Sequence, residues 1–119
     1  MNVVRVSQVA KEPVTSPMFT SANVTRQPLS PSESQYSVAM VTFGKGVRNK
    51  LHTHTSDQVL IVTSGKGLVA TEKEQRDVTV GDVVFFPTGE KHWHGAAKDS
   101  EFAHIFVYMA GTKSTQVGQ

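Results

Sequence analysis

Five histidines hold most of the chemical potential of this 119-residue chain, and four of them fall in two i, i+2 pairs, His52/His54 and His92/His94, with His104 standing alone. Successive residues of a strand point to opposite faces, so a pair spaced by two puts both imidazoles on one side. They then sit roughly 7 Å apart along the backbone, close enough to converge on one metal ion. Gln58 follows His54 by four residues, across a turn expected over Thr55–Asp57, and its carbonyl oxygen reaches the same point from the next strand. A lone histidine is more often a core or surface residue, but two pairs in this order predict a metal site. In Glu101–Met109 the same alternation places Phe102, His104, Phe106 and Tyr108 on one face, a histidine among aromatic rings as in the wall of a pocket.

The elements that must position these groups read as β-strands. From Ser37 onward the chain breaks into short runs rich in Val, Ile, Phe and Thr, bounded by Gly, Pro or Asp: Ser37–Phe43, Lys50–His54, Gln58–Ser64, Gly67–Thr71, Asp82–Phe86 and Glu101–Met109, with His92–Ala96 as a further segment. That pattern marks an all-β sandwich or barrel, and no window of helical period competes with it. Residues 1–36 contain Pro13, Pro17, Pro28 and Pro31, which forbid long helices and suggest an extended arm with a short edge strand near Asn23–Gln27. The barrel is expected over 37–110, and the polar, Gly/Ser/Thr-containing stretch 111–119 is expected to be a flexible tail. Gly65 and Gly81 are placed at tight turns needing positive φ, while Pro87 and Gly89 shape the turn that presents His92.

Composition removes several classes of function. There is no cysteine, which excludes disulfides, thiolate zinc sites, Fe–S clusters and cysteine nucleophiles together. Twelve basic residues against ten acidic ones give a formal charge of +2, and the cations are scattered singly, so a nucleic-acid surface is not expected. No apolar run approaches the roughly 20 residues of a membrane span, and the first ten residues lack the apolar core of a secretory signal, so a cytoplasmic location is expected.

Two motifs here resemble those of the cupin superfamily. Gly46-x5-His52-x-His54-x3-Gln58-x6-Gly65 is similar to the first cupin motif, with Gln58 where the family usually has Glu. Gly81-x5-Pro87-x-Gly89-x2-His92 is similar to the second, whose final Asn is Ala96 here. The resemblance implies a single-domain antiparallel jelly-roll β-barrel holding one divalent metal on His52, His54, Gln58 and His92. Three neutral imidazoles and a neutral amide leave the charge of such an ion uncompensated by protein, which makes it more Lewis acidic and less tightly held than a site with Glu.

The stretches LHTHTSDQVLIVTSGKG (51–67) and GDVVFFPTGEKHWHGAA (81–97) also look like the small bacterial cupins that include manganese-dependent hydroxynitrile lyases, which carry the same Gln-for-Glu exchange. That resemblance implies Mn as the ion, with Fe, Ni, Zn, Co or Cu compatible with the same donors. It also implies cyanohydrin cleavage to an aldehyde and hydrogen cyanide, and the reverse addition, with His104 as the catalytic histidine. Tyr108 departs from the Gln those lyases tend to have. Ala39, Val41, Phe43, Phe106, Tyr108 and His94 are expected to line the substrate pocket, their size suiting a small organic molecule; His94 is expected to pack under Trp93 or to donate to a ligand from outside.

Two other readings use the same residues: an Fe(II) dioxygenase with two open coordination positions, and a non-catalytic small-molecule-binding cupin. Edge strands of a short barrel need cover, so a homo-oligomer, a dimer or tetramer, is expected, with the Pro-rich arm available for strand exchange.

Overall fold

β-Branched and aromatic side chains suit a pleated surface buried on one side, and in the computed structural model, which describes residues 1–119, they build an all-β barrel. Ten strands form: β1 (Glu12–Pro13), β2 (Val24–Pro28), β3 (Tyr36–Phe43), β4 (His52–His54), β5 (Gln58–Thr71), β6 (Gln75–Thr79), β7 (Val83–Phe86), β8 (His92–Ala96), β9 (Phe102–Met109) and β10 (Ser114–Gln116). One 3-10 turn, Val6–Gln8, is the sole helical element. No helix is long and apolar enough to cross a membrane. All ladders are antiparallel and run β1-β2-β3-β9-β5-β8-β4-β10, with β6 and β7 also joined to β5. The sheet curls because β5 serves two sides, pairing through its first half with β7 and β9 and through its second with β6 and β8.

The bend in β5 corrects one expectation. Ser64–Gly65 looked like a turn between two strands, yet one strand runs through it with a register shift between Val62 and Ser64. Gly65 takes φ 73°, and a Cβ there would lie 1.8 Å from the carbonyl oxygen of Glu101. Glycine at the bulge therefore allows both the kink and the close approach of the segment entering β9. Gly81 does turn the chain between β6 and β7, at φ 94°. The charged β6 escaped the sequence pattern because it is an exposed edge strand with only Val78 buried, and its order comes from the ladder to β5.

The two ends of the chain are also built in. The tail expected to be flexible instead forms β10 along β4, pairing Ser114 with His54 and Gln116 with His52. Its three side chains are exposed, so what orders it is the open hydrogen-bonding edge of β4 rather than any burial of its own. The N-terminal arm packs on its own barrel: β2 pairs with β3, and the buried Gln27 amide donates to the carbonyls of Val6 and Val9 at 3.0 and 2.9 Å. Inside, Phe43, Leu60 and Phe102 are fully buried and anchor the core, and the histidines rise from the same inner face.

Candidate metal centre

His52 and His54 point inward from β4, His52 stands opposite His92 on β8, and Gln58 opens β5. The ligating atoms of His52, His54 and His92 all lie within 4.8 Å of one another. The motif loops that carry them are clipped together: Asp57 accepts from the Thr88 N–H at 2.8 Å, and the Gly89 N–H donates to the His54 carbonyl at 3.1 Å. Phe86 stacks on the His92 ring with centroids 3.8 Å apart, which fixes its plane.

The outer nitrogens are all occupied. Nδ1 of His52 meets the Lys50 carbonyl at 2.6 Å, and Nδ1 of His92 meets the Glu90 carbonyl at 2.9 Å. A carbonyl only accepts, so both Nδ1 atoms bear the proton and both Nε2 lone pairs are free. Nδ1 of His54 is held by the Ser114 hydroxyl at 2.7 Å, and its Nε2 is buried without a partner. Oε1 of Gln58 lies 3.3 Å from Nε2 of His92, two lone pairs facing each other. An orphaned imidazole nitrogen beside converging lone pairs is the arrangement a divalent cation satisfies, and the outer hydrogen bonds are those that orient ligating imidazoles.

Burial dominates the protonation of these groups. It lowers His52 from 6.5, against the opposing pull of the Lys50 carbonyl. Burial, then the charge of His52, takes His54 down to about 4, and burial takes His92 to about 3. All three are neutral at pH 7, with lone pairs available to a metal without competition from protons.

Beside the three converging histidines lies a second, buried chain of polar groups. The His94 backbone N–H donates to Oδ1 of Asn49 at 2.8 Å, which fixes the orientation of that amide. Nδ2 of Asn49 therefore donates to Nε2 of His94 at 3.1 Å. His94 must then carry its proton on Nδ1, which donates to Nε2 of His104 at 3.1 Å. His104 is left as the Nδ1–H tautomer, and that atom is buried with no partner. Burial holds His104 at about 3 and His94 well below 6.5, so both rings are neutral.

A cavity of roughly 290 Å³ opens on these groups, lined by His52, His54, Gln58, His94 and His104, and by Val41, Phe43, Phe106 and Tyr108. Ala39 lies elsewhere, fully buried in the core opposite Phe106. His94 does not pack under Trp93: alternation along β8 turns the indole to the other side, where the Arg48 guanidinium lies 4.4 Å over its ring. Burial of Tyr108 raises its hydroxyl pKa. The pattern reading missed Asn49, Ser114, Arg26 and the arm residues Val14, Met18 and Phe19, all of which also line the cavity. The single sequence-level sign was an Asn three residues before the first motif histidine; the polar tail and arm offered none.

Fold and site define a β-barrel whose three inward histidines could hold a metal ion, and residues 39–108 match the Cupin domain family. The chain belongs to that family. Among solved structures it resembles a cupin-like protein from Thermotoga maritima, with 34% identity and a TM-score of 0.83 over 90% of this chain and 84% of that one. A polyketide cyclase from Streptomyces resistomycificus superposes with a TM-score of 0.88 over 100% and 87% of the two chains, at 17% identity, a likeness of fold alone. Among curated proteins it is 42% identical over 78 residues to the (R)-mandelonitrile lyase of Granulicella tundricola. That match takes in 65% of this chain and 60% of the relative, so the chain spans less than two thirds of that protein's length.

Proposed function

We propose that this cupin is a metal-dependent lyase acting on a small hydroxylated or carbonyl substrate, and that its reaction is the cleavage of a cyanohydrin to an aldehyde and hydrogen cyanide, with the reverse addition. The observation that carries the reading is the 42% identity to (R)-mandelonitrile lyase. His52, His54, His92 and Gln58 would hold a divalent ion, manganese in this proposal. When bound, it supplies Lewis acidity that lowers the pKa of a hydroxyl or polarises a carbonyl, with no change of oxidation state.

The chain's own residues handle the proton. His104 is neutral, and its Nε2 lone pair is reached by exchanging the hydrogen bond from His94. As the carbon–carbon bond of the cyanohydrin breaks and its electron pair leaves on cyanide, the hydroxyl proton passes to Nε2 of His104 and then to cyanide, releasing hydrogen cyanide. Val41, Phe43 and Phe106 exclude water from that transfer.

The test is metal content by elemental mass spectrometry on untagged protein purified without chelator, followed by cyanohydrin cleavage assayed with and without oxygen. About one first-row metal per chain, absent from His52→Ala, and oxygen-independent turnover are expected. His104→Ala should retain the metal and lose at least about 100-fold in kcat. Protein that refuses Mn, Fe, Ni, Cu and Zn, or full turnover in His104→Ala, overturns the respective part.

A further inference from the structure

Among the residues that line the cavity there is one permanently charged side chain, and it is a cation. Arg26 on β2 stands opposite Val41 on β3, and Val41 stands opposite His104 on β9. Residues directly opposite in a ladder share a face, so the three lie in one row on the inner side of the sheet. With strands spaced about 4.8 Å apart, the backbones of Arg26 and His104 are about 10 Å apart, a span bridged by one small organic molecule. The Arg26 guanidinium is half-buried and lies 5.8 Å from the centre of the Phe106 ring.

Arg26 forms no ion pair. The ion pairs of the chain are Arg76–Glu74 and Lys91–Glu72, and Glu12, opposite Arg26 on β1, is exposed outside the cavity. No Asp or Glu lines the cavity, and the ligand set of His52, His54, His92 and Gln58 contains no carboxylate. The Arg26 end of the cavity is therefore positive, a divalent ion held by the histidines would make the other end so, and between them the wall is apolar, formed by Val41, Phe43 and Phe106. Such a site favours a molecule with an acceptor group at the metal end, a short apolar middle and an anion at the far end. A guanidinium presents a planar fork of donors that fits a carboxylate through two parallel hydrogen bonds.

We propose that Arg26 is a substrate-recognition residue, and that the molecule taken by this site is a small oxo or hydroxy carboxylate whose anionic end it holds. The reacting end rests on the lyase reading above; the carboxylate end rests on Arg26 and the acid-free cavity.

Binding of 4-formylbenzoate and of its neutral match 4-formylbenzamide would be measured by calorimetry on the Mn(II)-loaded and the metal-free protein, for wild type, Arg26→Gln and Arg26→Lys, with melting curves to confirm that the variants fold. The wild type should bind the acid about tenfold or more tightly than the amide in both metal states. Arg26→Gln should abolish that preference and Arg26→Lys should keep part of it. Equal binding of acid and amide by the wild type, binding of neither, or a preference that survives in Arg26→Gln overturns the proposal. If no cyanohydrin is cleaved with any metal while the acid preference and its loss in Arg26→Gln are seen, the lyase reading falls and this one stands.

Discussion

Asn49 sets the polarity of the buried histidine pair, and its replacement gives a sharp test. The amide accepts from the His94 backbone and donates to Nε2 of His94, at 2.8 and 3.1 Å, so His94 donates from Nδ1 and His104 accepts on Nε2. Asn49→Asp preserves shape but offers only acceptors. His94 must then protonate Nε2, and the direction of the bond to His104 reverses or His94 becomes charged. A carboxylate about 3 Å from the ring, at an effective dielectric of about 20, favours the imidazolium by at most about 5 kcal/mol, roughly four pH units. Asn49→Leu instead strands two buried polar groups at about 1–3 kcal/mol each. That is a large part of a domain's stability of about 5–15 kcal/mol, with roughly 4 °C of melting temperature lost per kcal/mol. The assay is the ring nitrogen spectrum of ¹⁵N-histidine-labelled, metal-free protein at pH 7. The wild type should show His94 protonated on Nδ1 alone, and Asn49→Asp should show it protonated on Nε2. A wild-type His94 already protonated on Nε2, or spectra identical in the two proteins, would refute the reasoning.

Three further outcomes follow from the same geometry. Ser114→Ala removes the hydroxyl that holds Nδ1 of His54, and should weaken metal binding about 10- to 100-fold in competition with a chelator while leaving the fold intact; unchanged affinity would show that β10 plays no part in the site. Unfolded histidines titrate near 6.5, whereas His54 is held at about 4 and His92 and His104 at about 3. Between these values the unfolded chain binds more protons, so the metal-free protein should lose stability as pH falls from 6.5 toward 4, by about 1.4 kcal/mol per pH unit for each protonating histidine; a melting temperature constant down to pH 5 would contradict this. The outer face of the sheet carries an unbroken apolar row, with Tyr36, Ile61, Val83, Phe85 and Met109 exposed and Val38, Met40, Val59, Ile105 and Val107 between them in the ladders. A patch of this extent without charge suits a second copy of the chain, and sedimentation at micromolar concentration should give a mass of at least two chains; the mass of a single chain would refute it.

Much of the barrel was legible because strand period is a local property. Alternation in Glu101–Met109 put Phe102, His104 and Phe106 on one face, and that face is the buried one. The spacing of His52 and His54 likewise put both imidazoles on one side, since two residues apart on a strand means the same side whatever the rest of the chain does, whereas His92 joined them only through the resemblance to the second cupin motif. β6 and β10 were not legible, because an edge strand with exposed side chains is ordered by backbone hydrogen bonds to a neighbour and carries no burial pattern of its own.

What only the tertiary structure decided is who touches whom across the ladders. The Ser114 hydroxyl reaches His54 from 60 residues away and Asn49 reaches His94 from 45, and Arg26 enters the cavity because β2 falls beside β3 in one particular register. Side-chain identity and spacing set which groups face inward. Their tautomers, their suppressed protonation and the charge of the cavity depend on partners brought together by strand register, a property of pairs of distant segments that no single stretch of sequence contains.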